Sequence, residues 1–336
     1  MGAGASSEAE RSMRDRGDTA TLRTERIPAA WPWDVRSLGR AARREALYAV
    51  IGPALLVGEH LPRRTSAALY GAVGGALFRF HRGLRRRAVE NLALAFPDLS
   101  PRDARRLARD SFRSVGRSAA DLPRLRGMSR AALLDLVRIR GLERLRAAIA
   151  AGRGVVGIAP HLGNWEIFAA ALAARGVPVT AVAAELYDPR LSRYLVAARR
   201  RWGVSTIVKG TPGATREALG VLQRGEMLGT LIDLHTRDEG IEARFLGRPS
   251  HTAAGPIRLA LRTGAAVVPM AIVRAADGRY EAEIRDPLAF GGADGSARDV
   301  EEGVRLAAAA LEAFIREHPG QWLWMHDRWP TRKGSA

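Results

Sequence analysis

Apolar positions run along the chain in two rhythms. From about Asp34 to Ala120 they recur at helical spacing, punctuated by Pro62 and Pro97, and Ser100-Pro101 carries the cap-then-proline signature of a helix start. Val137–Arg140 reads as a short strand. After Gly154, short apolar runs alternate with amphipathic segments of roughly ten residues. Strands are predicted at Val155–Ala159, Pro178–Ala183, Val204–Val208, Met227–Ile232 and Ala266–Val273, and Tyr280–Ile284 alternates like an edge strand. Helices are predicted at Asn164–Ala174, Leu191–Trp202, Pro212–Gln223, Thr252–Arg262 and Val300–Glu317. Strands separated by helices of this length predict an α/β fold, a mostly parallel central sheet flanked by helices.

The same pattern divides the chain. Residues 1–33 are rich in Gly, Ser, Arg and Asp without apolar period and read as a disordered tail. Residues 34–150 form a helical, basic part expected to face a membrane, and 151–332 the α/β core, with 34–332 as one structural unit. The first 45 residues lack the apolar core of a secretory signal. Ala46–Gly58 and Ser66–Phe78 are uncharged runs of 13 residues each, short of the roughly 20 that a spanning helix needs. They read either as core helices or as shallow interfacial helices flanked by Arg63, Arg64, Arg79, Arg82 and Arg85–Arg87.

Composition narrows the chemistry. The chain has 336 residues, 47% of them apolar, enough for a sizeable core. It has no cysteine, which excludes disulfides, thiolate catalysis and cysteine-ligated zinc. The net charge is +18, and 51 of the 53 basic residues are arginine, the better bidentate partner for phosphate. Residues 1–150 hold 29 arginines against 15 acidic residues, a net +14, whereas 151–336 carry +4. A basic N-terminal half suits an anionic surface: acidic lipid, nucleic acid or an acidic protein. A nucleic-acid-binding module is not recognisable, so nucleic acid is not the expected partner.

The segment with chemical content is Gly154–Glu166, GVVGIAPHLGNWE. An apolar strand ends at Pro160, His161 stands at its carboxyl end, and a helix begins near Gly163. This is where open α/β sheets place their ligand sites. Since His161 precedes the helix, the turn can bring its imidazole back towards Glu166, a base with a carboxylate to fix its tautomer. Free N–H groups at the helix start, near Gly163, Asn164 and Trp165, favour a developing oxyanion. Taken alone, the spacing is equally that of a turn histidine followed by a carboxylate complementing the helix dipole. The remaining histidines, at 60, 81, 235, 251, 318 and 326, are scattered, without metal-like spacing.

HLGNWE after an apolar strand resembles the His-x4-Asp/Glu box of the bacterial lipid A lauroyl/myristoyl acyltransferases. Arg85–Ser100 (RRRAVENLALAFPDLS) is similar to that family's basic stretch followed by Asn-Leu and Phe-Pro. Leu231–Ile272 is similar to its Asp-centred loop, Phe-x-Gly step and following helix and strand. Gln321–Trp329 (QWLWMHDRW) is similar to its Trp-rich end. The resemblance covers about residues 40 to 332, with one departure: the family commonly shows Asp-Gln where this chain reads Asp233-Leu234.

The resemblance implies transfer of a fatty acyl chain from acyl carrier protein or acyl-CoA to a hydroxyl of an anionic membrane glycolipid or phospholipid. It implies His161 as general base, Glu166 as its partner, and substrate contacts from Gly163, Asn164, Trp165, Arg199, Arg200, Asp233 and Arg244. No cofactor and no metal are expected. A thioester is already activated, so no acyl-enzyme is needed. The expected place is the cytoplasmic face of the inner membrane, peripheral or shallowly inserted. The other function classes are a non-enzymatic membrane-binding scaffold and a nucleic-acid binder. Trp322, Trp324 and Trp329 read as core.

Overall fold

A computed structural model describes residues 45, 48–49, 51–55, 57–236, 240–290 and 296–329. The tail expected at 1–33, and the first helical residues after it, lie outside the described residues. The chain divides into two units, Met1–Leu47 and Tyr48–Ala336, and the second carries the elements below.

Helices α1 (Arg63–Phe80), α2 (Arg82–Ala95) and α3 (Pro101–Ala119) are followed by the short α4 (Leu122–Leu125) and α5 (Arg130–Leu136). The Ser100 hydroxyl accepts from the Asp103 N–H at 3.1 Å and Pro101 opens α3, the predicted start. The uncharged run Ser66–Phe78 lies within α1. One face of α1, with Ser66, Ala67, Gly71, Gly74 and Phe78, is buried. A Cβ at Gly74 would sit 2.2 Å from the Phe112 carbonyl oxygen, and one at Gly116 2.1 Å from that of Tyr70. The two backbones of α1 and α3 therefore meet where only glycine fits. The opposite face of α1 leaves Leu69, Val73, Leu77 and Phe80 between 45% and 77% exposed.

Thereafter the chain alternates: β1 (Val137–Arg140), α6 (Leu142–Ala150), β2 (Val155–Ala159), α7 (Trp165–Ala173), β3 (Val179–Ala183), α8 (Pro189–Arg201), β4 (Ser205–Val208), α9 (Ala214–Gln223), β5 (Met227–Leu231), β6 (Gly240–Phe245), β7 (Arg248–Ala253), α10 (Gly255–Thr263), β8 (Ala266–Arg274), β9 (Tyr280–Ile284) and α11 (Ala297–Glu317). A seven-stranded sheet has the order β1-β9-β8-β2-β5-β3-β4, parallel throughout except between β8 and β9. The fold is the expected α/β one. β2 is buried at every position, as a central strand covered on both faces must be.

Two readings need correction. Tyr280–Ile284 is not an edge strand, because β1, far upstream, pairs along its outer side. Its alternation reflects one better-covered face. The helix expected from Thr252 starts at Gly255, because Thr252 and Ala253 belong to a β6–β7 hairpin missed in the sequence. That hairpin turns through Leu246-Gly247, both at positive φ (50° and 78°). The turn lacks the Asn-Gly or Asp-Gly signal of such loops. Burial of Leu246, 1% exposed, anchors it instead.

Candidate active site

The site grows from strand register. β2 and β5 are adjacent and parallel, with Ala159 opposite Leu231. Two residues beyond each partner, at the same carboxyl edge of the sheet, stand His161 and Asp233. His161 Nδ1 lies 2.7 Å from Asp233 Oδ1, and the His161 backbone N–H donates to Oδ2 at 2.7 Å. The Trp322 indole N–H donates to the same Oδ2 at 2.6 Å. Asp233 is completely buried. Burial alone would push its carboxyl up, but the facing His161 and the three donated hydrogen bonds outweigh it and hold the group below its ordinary value. An ionised carboxylate only accepts, so Nδ1 of His161 carries the proton and Nε2 has the free lone pair.

Glu166 does not partner His161. It sits in the first turn of α7, and the Arg199 guanidinium from the last turn of α8 takes both its oxygens, at 2.7 and 2.5 Å. Both side chains are about nine-tenths buried. A bidentate guanidinium is the stronger partner for a carboxylate than one ring nitrogen, and Nδ1 of His161 is already taken by Asp233. Glu166 is thus a strut between α7 and α8, and Asp233 holds the position expected for it.

The substrate contacts expected from sequence fall into two groups. Trp165, edge-on to His161 with ring centroids 4.9 Å apart, lines a large cavity together with His161, Glu166, Arg199 and Arg200. Gly163 and Asn164 do not line it. Gly163, at φ 59°, packs against the Ile272 carbonyl, 2.2 Å from where a Cβ would be. Asn164 caps α7 by accepting from Ile167 N–H, and it donates to the Ser118 carbonyl and to Tyr280. Asp233 lies behind His161 and does not line the cavity. Arg244 is exposed on β6 and donates to the carbonyl of its own turn residue Gly247.

A buried network backs the turn. Tyr280 donates to Asp121 Oδ2 at 2.7 Å, and Arg274 and Arg63 pair with the same carboxylate at 2.7 and 2.9 Å. Burial and then the Asp121 charge push the Tyr280 hydroxyl up to about 12, so it stays a donor. Trp322 and Trp324 are fully buried, as expected of core residues. The surprise is their position: Leu162 bridges Trp322 and the Ser111 hydroxyl donates to the Trp322 carbonyl, so the C-terminal segment forms one wall of the site.

The cavity measures about 1790 Å³, beyond the roughly 300–1,000 Å³ of small-molecule sites. Its walls include Ala181, Val182, Leu195, Ile207 and Leu228, with Arg193, Arg200, Arg201 and Lys209 among its cations. A histidine whose tautomer is set by a buried carboxylate, opening onto a large, mostly apolar space, can activate a hydroxyl beside a hydrocarbon chain.

The chain as a whole resembles known proteins along most of its length. The family profile of bacterial lipid A biosynthesis acyltransferases matches residues 39–331. The chain is 27% identical over 276 residues to a phosphatidylinositol mannoside acyltransferase of Mycolicibacterium smegmatis, covering 80% of this chain and 86% of that one. It is 24% identical over 283 residues to a lipid A biosynthesis acyltransferase of Haemophilus influenzae, covering 83% and 86%. A lipid A biosynthesis lauroyltransferase of Escherichia coli is 23% identical over 265 residues, covering 77% and 83%. The chain belongs to the bacterial lipid A biosynthesis acyltransferase family. It is an acyltransferase of lipid or glycolipid biosynthesis, which sets aside the non-enzymatic readings. Among the described residues, no helix is long and apolar enough to cross a membrane.

Proposed function

We propose that the protein moves a fatty acyl chain from a thioester, on acyl carrier protein or coenzyme A, to a hydroxyl of an anionic glycolipid or phospholipid. The observation that carries this is the His161–Asp233 pair at the wall of the apolar cavity. Nε2 of His161 takes the proton of the acceptor hydroxyl as its oxygen attacks the thioester carbonyl. Asp233 holds Nδ1–H and stabilises the imidazolium that forms. Collapse of the tetrahedral species expels a thiolate, which takes the proton back from Nε2. The apolar walls accommodate the acyl chain, and Arg200, Arg201 and Lys209 suit phosphate on either substrate. The relatives' names point to two acceptor classes, mannosylated phosphatidylinositol and lipid A precursors.

The reaction takes place at a membrane surface, on the cytoplasmic face of the inner membrane. Leu69, Val73, Leu77 and Phe80 form an exposed stripe on α1, and Arg79, Arg82, Arg86 and Arg87 lie close along the chain to meet anionic headgroups. The test is direct. Purified protein is offered acyl-carrier-protein and acyl-coenzyme A donors with each acceptor class, and acylated lipid is read by mass spectrometry. Wild type acylates one of them, and folded His161→Ala loses activity by roughly 10²–10⁴-fold, the worth of general-base assistance. Near wild-type transfer by that variant overturns the mechanism.

A further inference from the structure

A second histidine, His326, lines the same cavity as His161. It belongs to the C-terminal segment that supports Asp233 through Trp322, and its backbone is fixed from the other end of the chain. Both amide hydrogens of buried Asn91, on α2, are spent on this segment, donated to the Trp324 carbonyl at 2.9 Å and the His326 carbonyl at 2.8 Å. The Asn of the Arg85–Ser100 motif and the His of the C-terminal motif are thereby parts of one device.

The ring itself is half-buried, and its Nδ1 is the inner atom. Among the described residues, no polar group lies within hydrogen-bonding reach of Nδ1. A buried lone pair without a partner costs less than a buried N–H without one. Nδ1 is therefore the bare nitrogen, the proton is on Nε2, and the Nε2 edge is the one left to line the cavity. The charge state agrees. Burial first, then the nearby His161, hold His326 below the ordinary histidine value; Arg87 adds to this, and Asp233 and Asp327 pull the other way.

Building on the acyl-transfer reading above, we propose that His326 is a second catalytic residue, a neutral imidazole whose Nε2–H donates a hydrogen bond to the thioester carbonyl oxygen as it becomes an oxyanion. The two histidines are in opposite tautomers and have opposite roles. His161 has Nδ1–H tied to Asp233 and Nε2 free to accept a proton. His326 has Nδ1 bare and Nε2–H to give. The acceptor oxygen forms its bond to the carbonyl carbon, its proton goes to His161, and the carbonyl π pair moves onto the oxygen facing His326. When the C–S bond breaks, that pair returns and the thiolate takes the proton from His161. His326 keeps its own proton throughout. A donor aimed at developing charge in a water-poor site acts on the transition state more than on the bound substrate.

The experiment compares His326→Phe, which fills the space without a donor, with His326→Gln, which retains a side-chain N–H. Both keep the backbone carbonyl that Asn91 holds. Steady-state transfer is measured with each substrate varied, and thermal melting is followed in parallel. The expected result for His326→Phe is a loss of roughly 10²–10³ in kcat, the worth of one oxyanion donor, at nearly unchanged KM for both substrates. His326→Gln recovers most of it. Nitrogen-15 correlation spectra of the wild-type protein read the tautomer without any variant, and Nε2–H on neutral His326 is expected. Wild-type kcat in His326→Phe, no advantage of Gln over Phe at equal stability, or Nδ1–H in the spectra would overturn the proposal. His161→Ala serves as the reference. If it is inactive while His326→Phe is normal, only the role of His326 falls; if both are active, the acyl-transfer mechanism itself falls.

Discussion

Asp233→Asn is the most informative single change, because it removes one charge and leaves the shape. The carboxylate accepts three donors: His161 Nδ1–H, the His161 backbone N–H and the Trp322 indole N–H. An amide has one oxygen for these and must turn its NH₂ towards the others. The least costly arrangement lets the amide donate to Nδ1 of His161, which moves the imidazole proton to Nε2. The base is then protonated at the nitrogen that must accept, and its cation has lost its counter-charge. The same inversion in other histidine–carboxylate pairs costs ~10⁴ in kcat, or about 5.4 kcal/mol of transition-state stabilisation at 1.36 kcal/mol per decade. Thiol release from an acyl thioester in the presence of acceptor reads kcat, and circular dichroism checks that the variant is folded. A folded Asp233→Asn within tenfold of wild type would refute the assignment of Asp233 as the partner. A second signature is acid stability. The Asp233 carboxyl is held below its ordinary value in the folded state. Its stabilisation is complete above the unfolded carboxylate pKa and is lost as pH falls through the lower, folded one. Wild type therefore loses stability through that acid window more steeply than Asp233→Asn does.

Three further outcomes follow from the same geometry. Glu166→Ala leaves the Arg199 guanidinium buried without its partner and destabilises the fold by about 3–5 kcal/mol, whereas the Glu166→Ala/Arg199→Ala double variant costs less than the two single changes added; denaturant melts give the coupling. Arg200→Ala with Arg201→Ala, both exposed and lining the cavity, raises acceptor KM roughly tenfold with kcat held, since uniform binding is what these cations supply; an unchanged KM removes them from the substrate path. Val73→Asp with Leu77→Asp, on the outer face of α1, weakens binding to anionic vesicles by roughly tenfold or more without changing the melting temperature, and binding equal to wild type in a flotation assay would discard α1 as the docking face.

Local signals in the chain announced local structure. The cap at Ser100, the apolar run of β2 and the order of strands and helices after Gly154 were all readable, because each rests on a period or a turn a few residues long. Glu166 shows where that reasoning stops. Five residues from His161, it is close in sequence, but those residues include the start of α7, and the helix carries its carboxylate to α8. Asp233 is 72 positions away. It reaches His161 because β5 inserts beside β2, with β3 and β4 displaced outward. No property of the segment Met227–Asp233 specifies that neighbour. The pairing is a consequence of sheet order, and sheet order is non-local.

The Trp-rich end was legible as core but not as part of the site for the same reason. Burial is a property of an indole's own surface, whereas the direction of its N–H depends on what the finished fold puts opposite it. Opposite Trp322 the fold puts Asp233, and opposite the carbonyls of Trp324 and His326 it puts Asn91. The histidine–carboxylate pair is thus assembled from the end of β2, the end of β5 and the segment after α11, with α2 holding that segment in place. The His161–Asp233 contacts need β5 paired beside β2, and the Trp322 contact with Asp233 needs the C-terminal segment docked. A chain in which that segment is not docked therefore lacks the Trp322 donor, one of the three hydrogen bonds that the Asp233 carboxylate accepts beside His161.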